Sequence, residues 1–151
     1  MELRDRVARG FLAGVSGGVL MNILSYLSYL LGVSQLRFVD WPAIIITGHT
    51  PNNTLETVFA LLVQLIFVGF LGVIFAYLIS NLINSSNHLF KGVLFGFISW
   101  FAIYAFTFLA DVSKLTPLDM GTALTDFAGA VVFGLTLAQV LFQLDNRQGL
   151  E

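Results

Sequence analysis

The chain has 151 residues, of which 57% are hydrophobic and 11% are charged, and its mean hydropathy is +0.87. Soluble domains carry roughly 25% charged residues, so this composition leaves too little polar surface to cover a water-soluble fold. A net charge of −2 without a basic tract gives no reason to expect nucleic acid as a partner. The absence of cysteine excludes disulfides, thiolate metal sites and cysteine nucleophiles.

Four apolar runs, at residues 7–33, 55–83, 89–110 and 122–144, are long enough to cross a bilayer. A span takes ~20 residues at about 1.5 Å of rise each. The runs predict an all-α, polytopic membrane protein, with residues 1–148 forming a single bundle of four transmembrane helices. The first run is too long for a cleavable signal peptide, so we expect it to remain in the membrane. Residues 149–151 are expected to be a cloning scar.

The first span carries Gly10, Gly14 and Gly18 at every fourth position. They align a groove on one helix face, and small residues of this kind let a second helix approach closely within lipid. We therefore interpret them as helix-packing residues. Asn22 continues the same face about 20 Å along the helix axis from Arg9, so its amide must face protein or water.

The outer connection, residues 34–54, is long enough for a short helix at the membrane surface. Trp41 at headgroup level and Pro42 in a first helical turn favour an interfacial element there. The connection after the second span, residues 84–88, is a tight polar turn. Such a turn predicts that the second and third spans are antiparallel neighbours.

Two polar residues near the outer side have competing interpretations. Glu56 follows Asn53 at capping-box spacing, which favours a structural role over ion binding. His49 fits a loop at the interface, or a divalent-cation site with nearby carboxylates, although no spacing fixes such a site and the metal remains unknown. Gln64, two turns below Glu56, is either satisfied by an interhelical hydrogen bond or part of a polar pathway.

The third span opens with Lys91-Gly-Val-Leu-Phe-Gly96, which matches residues 9–14 in its cation, its leucine and its glycine spacing. Gly92 and Gly96 are accordingly packing candidates. Glu56 and Asp126 each lie near the start of the helix that follows. The pattern predicts two tandem helical hairpins in the same orientation, with chance similarity as the alternative.

Asp126 lies at least one turn inside the fourth span, where Asp119 or Thr122 already provides a helix cap. An ionisable group within a span is costly unless it faces a cavity or a partner, and it is a functional candidate by default. A structural role is the alternative. Asp126 is the residue that we expect to bind a proton or small cation if the protein moves ions.

Positive charges predict the orientation. Five of the seven cations lie on the side of the two termini, while Arg37 and Lys114 lie on the other side. By the positive-inside rule, both termini face the cytoplasm of a bacterial inner membrane. The outer face is acidic, either because it attracts cations or because lysine and arginine are kept out of it.

The glycine-rich first span, residues 91–96 and Thr125-Asp126 resemble the YqhR-like family of small four-span bacterial membrane proteins of unknown function. More distantly, the layout is similar to the YagU-type inner-membrane proteins. The resemblance covers most of the chain and implies the four-span topology. It carries over no catalytic residue.

Two functions remain open on the sequence alone. One is a small homo-oligomeric channel or transporter for protons or cations, with Asp126, Glu56 and His49 at an outer entrance. The lipid bilayer is one expected partner. Because a four-helix protomer encloses little volume by itself, we also expect a homo-oligomer, with a second copy of the chain as partner. The other is a non-catalytic scaffold or a subunit of a larger membrane complex. An enzyme ranks last because no nucleophile, base or metal-ligand spacing is recognisable, and we expect no cofactor.

Overall fold

The computed structural model describes residues 5–81, 87–116 and 118–148. These residues form helices α1 (Arg6–Leu30), α2 (Asp40–Thr47), α3 (Thr54–Asn81), α4 (His88–Leu109) and α5 (Met120–Gln148), and no strand occurs among them. Helices α1, α3, α4 and α5 are long and apolar enough to cross a membrane. The predicted all-α bundle of four membrane-spanning helices is thus confirmed. Most of the turn at 84–88 and the expected scar at 149–151 lie outside the described residues.

Side-chain caps begin three of the spanning helices, and at α1 the Asp5 Oδ1 accepts a hydrogen bond from the Val7 N–H at 2.9 Å. At α3, Asn53 Oδ1 accepts a hydrogen bond from the Glu56 N–H at 2.9 Å, which is half of the predicted capping box. At α5, Asp119 accepts from the Thr122 hydroxyl at 2.5 Å and from its N–H at 3.0 Å. These bonds to the charged form hold the pKa of the Asp119 carboxyl below its usual value.

Close backbone contact joins α1 to α3 as an antiparallel hairpin. A Cβ added to Gly10 would lie 2.8 Å from Gly72 O, and a Cβ on Gly14 would collide with Val68 O. Gly18, one turn further along, would meet the Val68 side chain at 2.5 Å. The glycine groove therefore faces α3, and its width is set by backbone atoms rather than by flexible side chains.

The second hairpin, α4 with α5, is packed in the same way. Gly92 lies against Gly134 O, and Gly96 lies against Ala130 O. Each hairpin thus begins with a glycine pair one turn apart that touches the returning helix through its carbonyl oxygens. The two predicted tandem hairpins have equivalent packing registers.

The seam between the hairpins is formed by α1 and α5. Gly17 of α1 admits the Phe133 ring, which a Cβ would meet at 2.8 Å. Nearer the end of the bundle away from the two termini, which we call the outer end, the Ser28 and Thr125 hydroxyls are hydrogen-bonded at 2.6 Å. An ion pair joins the helices at the inner end, between Arg9 and Asp145. The main hydrophobic core lies along this seam.

Helices α3 and α4, predicted to be antiparallel neighbours, are antiparallel, but the prediction of close neighbours was wrong because each packs mainly against its own hairpin partner, α1 or α5. The rings of Phe75 and Phe95 meet with their centroids 5.1 Å apart. Toward the outer end, a cleft separates the two helices. In the hairpin register, Ser99 of α4 takes the place of Gly17 in α1. Ser99 lines the cleft, whereas Gly17 lies in the closely packed seam.

Candidate functional site

The cleft between α3 and α4 contains a cavity of 510 Å³. Residues of α1 and α5 form its floor, and α2 covers its outer end. This volume lies within the range of ~300–1,000 Å³ that is usual for small-molecule sites. The lining is mainly apolar and aromatic. Polar side chains at the cavity are Gln64, Ser99, Tyr104, Thr107 and Asp126.

The cavity opens sideways, toward the surface that lipid would cover. Phe67 of α3 and Phe106 of α4 both line it, and they are 45% and 69% exposed. These rings therefore form a rim on the outside of the bundle. A guest molecule of the membrane has a direct route from the acyl chains into the cavity.

Asp126 is fully buried at the floor of the cavity, about 9 Å inside α5 by helical rise. Its Oδ2 accepts a hydrogen bond from the Tyr104 hydroxyl at 2.6 Å. Its Oδ1 has no hydrogen-bond partner among the described residues. Among the described residues, the cavity lining contains no lysine, arginine or histidine. The Oδ1 atom of Asp126 thus faces an apolar cavity, and no cationic side chain of the described lining compensates the charge of the carboxylate.

Aromatic rings surround the Tyr104 ring that holds this carboxyl group. The Trp100 ring lies 4.8 Å from it and the Trp41 ring 5.1 Å from it, measured between centroids. The Trp41 indole N–H also approaches the Asp126 carboxyl group without reaching hydrogen-bond geometry. Phe127 packs edge-on against Trp100 at 5.5 Å. Both tryptophans therefore border the candidate site.

The position of Trp41 corrects a sequence prediction. Trp41 is 6% exposed and packs with Ile44 of α2 against Leu115, so its ring contacts protein rather than the surroundings of the bundle. The chain before it is fixed by Arg37, whose Nη2 donates to Asp40 Oδ1 at 2.7 Å. This hydrogen bond raises the pKa of the Arg37 guanidinium. The sequence suggested a tryptophan on the membrane surface, but α2 turns its apolar face into the bundle and buries the ring.

Gln64 is the second predicted residue that reaches the cavity. It is 6% exposed, and its Oε1 has no partner among the described residues. Gln64 precedes Gly72 by the same number of residues as Asp126 precedes Gly134, about two turns. The hairpin register therefore pairs Asp126 with Gln64, and not with Glu56 as the sequence pattern suggested.

The family model for the conserved membrane protein YqhR matches residues 3–147 of the chain. The chain belongs to this family. No curated protein and no solved structure matches it. The match includes both hairpins and every residue of the cavity, so the YqhR family assignment covers the whole candidate site. It supports an integral, multi-pass membrane protein.

Three further candidates of this YqhR protein lie outside the cavity lining. The Asn22 amide donates to Gly18 O at 2.8 Å, within its own helix. His49 Nδ1 and Glu56 Oε2 are 3.9 Å apart at the start of α3, where Asn52 contacts both residues. Over the described ranges, no group of three or more His, Cys, Asp or Glu residues is placed to hold a metal ion.

Sequence reasoning missed the aromatic half of the site. Tyr104 lies in the third apolar run, and nothing in the spacing links it to Asp126 on the next helix. The available signal was the hairpin register: once Gly96 lies against Ala130, Tyr104 and Asp126 approach each other at the outer end of the same hairpin.

Proposed function

We propose that this YqhR-family protein is a small transporter of cations or protons in the bacterial inner membrane, with Asp126 as the cation-binding residue. One observation carries the proposal: the buried carboxyl group faces a cavity whose lining offers it no cation. An unpaired charge at membrane depth is expensive, so a proton or a guest cation must neutralise it. Exchange between these two occupants is a minimal transport cycle.

The neighbours of Asp126 suit such an exchange. The Tyr104 hydroxyl donates to Oδ2 and holds the carboxyl group in one orientation, which leaves Oδ1 for the guest. Gln64 adds an uncharged oxygen to the same cavity. Since each carboxylate can take up either a proton or a cation, the guest and the proton compete for Oδ1.

The shape of the cavity favours a transporter over an open channel. The Phe75–Phe95 contact lies on the inner side of the cavity, which opens near the outer end of the bundle. Release to the other side then requires a change of conformation or a second copy of the chain. We include a homo-oligomer in the proposal, together with cytoplasmic termini as the cation distribution predicts.

Flux into proteoliposomes tests the proposal. The parent protein should move protons or monovalent cations down an imposed gradient, measured with an internal pH dye and a cation indicator. Asp126→Asn keeps the size of the side chain but removes its charge, and it should abolish the flux. Asp111→Asn is the matched control, because Asp111 is an exposed carboxylate with φ 48°, a conformation that asparagine also accepts.

Two results would contradict the proposal. Parent proteoliposomes as tight as empty liposomes would favour the alternative function, a membrane scaffold or subunit. Full flux in Asp126→Asn would remove the carboxylate from the mechanism.

A further inference from the structure

We infer that the guest of the cavity is a lipophilic organic cation, an ammonium group carrying apolar substituents, which reaches Asp126 from the bilayer between α3 and α4. The inference rests on the proposal that Asp126 binds a cation, and it names the chemical class of that cation. A guest that enters the cavity loses its contacts with solvent. The lining can replace these contacts for an organic ammonium ion, but not for a small inorganic cation.

Small inorganic cations are a poor match for this lining. Calcium takes six to eight oxygen ligands, and magnesium demands a near-octahedral set. At the cavity, the buried side-chain oxygens without a partner among the described residues are Asp126 Oδ1 and Gln64 Oε1. A hard cation that left its hydration shell would recover little of it here. An organic ammonium ion has a diffuse charge, so one carboxylate and apolar contact are enough.

The aromatic rings supply the second half of the recognition. Trp41 and Trp100 flank the Tyr104 ring at centroid distances of 5.1 and 4.8 Å, beside the carboxyl group. The faces of tryptophan and tyrosine attract cations, and the attraction is stronger in sites that exclude water. An ammonium group near Asp126 Oδ1 therefore meets a full negative charge and electron-rich rings together.

The rim explains how such a guest arrives. Ile45, Phe67 and Phe106 are all more than two-fifths exposed, and they present an apolar entrance to the lipid. Amphiphilic cations partition into membranes with their charge near the headgroups and their apolar part among the acyl chains. Asp126 lies about 9 Å inside its helix, near the end of the bundle where the cavity opens. The lateral opening admits the guest without passage through bulk water.

A matched pair of ligands tests the inference on purified protein in lipid nanodiscs. Phenyltrimethylammonium and tert-butylbenzene have nearly the same shape and differ by one positive charge. Binding is read from intrinsic fluorescence, because both tryptophans of the chain line the cavity. The parent should bind the cation saturably and about tenfold more tightly than the neutral isostere, a ratio that corresponds to about 1.4 kcal/mol. Asp126→Asn should remove this preference, and Asp111→Asn should keep it.

Equal affinity of the parent for the two ligands would overturn the inference and would make the cavity a site for uncharged apolar guests. This comparison needs no variant, so it decides even if Asp126→Asn does not fold. The flux assay separates the two proposals. Selective binding of the cation without any flux would refute transport and would support the ligand class. Flux of protons or inorganic cations that saturating phenyltrimethylammonium leaves unchanged would support transport and would refute the ligand class.

Discussion

Enlarging Gly14 should destabilise the fold through the α1–α3 contact. The atoms nearest to an added Cβ are Val68 O, the Gly69 Cα at 3.0 Å and the Gly72 Cα at 3.1 Å, all of them backbone. No side chain can rotate away, so the helices must separate. Overpacking typically costs ~1–3 kcal/mol. Alanine gains about 1 kcal/mol over glycine in helix propensity, so Gly14→Ala should lose roughly 0–2 kcal/mol net.

Thermal unfolding in a mild detergent measures this loss. At ~2–4 °C per kcal/mol for a chain of this size, Gly14→Ala should lower Tm by up to about 8 °C, and Gly14→Leu should lower it further. Ala128→Leu adds bulk at an exposed position of α5 and serves as the control, with a Tm close to that of the parent. An unchanged or higher Tm for both Gly14 variants would refute the packing argument.

Two other predictions use groups at the ends of the bundle. Asp119→Ala should lower Tm at neutral pH through loss of the α5 cap. Since the hydrogen bonds from Thr122 depress the pKa of Asp119, the stabilisation is present above the unfolded-state value of about 3.9 and disappears as the pH falls through the lower folded-state pKa. Parent and variant melting curves should therefore converge at acid pH, and a constant difference would contradict the cap. Single cysteines at the exposed positions Asn52 and Ser113 should react with an impermeant thiol reagent outside intact cells, and one at Asn146 should not; the opposite pattern would reverse the orientation.

The parts of the fold that depend on local pattern could be predicted from the sequence. The apolar runs predicted four spans, and the helices differ from them chiefly at their ends, as α5 begins at Met120 and extends to Gln148. The spacing of Gly10, Gly14 and Gly18 indicated a packing face, because glycines on one face allow a close helix approach regardless of which helix packs there. The Asn53–Glu56 cap was equally local.

The cavity could not be predicted, because hydrophobicity does not distinguish a buried face of a membrane-spanning helix from a face that contacts lipid. In water an apolar stripe points to the core, but in a membrane every face of a span is apolar. Nothing in the sequence therefore distinguishes the lipid-facing Phe106 from the buried Phe133. Trp41 was predicted on the membrane surface for a related reason, since a tryptophan near a span end is typical of the interface. Its inward position depends on contacts with α4, far away in the chain.

The four spanning helices stand in the order α3, α1, α5, α4, as an open arc rather than a closed ring. In the most apolar stretch of each helix, 39% of the residues are buried in α1 and in α5, which stand in the middle of the arc. The share is 33% in α3 and 17% in α4, which stand at its ends. A helix at the end of an arc has protein on one flank and lipid on the other, so lateral pressure and bilayer thickness act on it directly. Because α4 carries Tyr104 and Trp100, a change in lipid composition would reach the candidate site through the least anchored helix of the bundle.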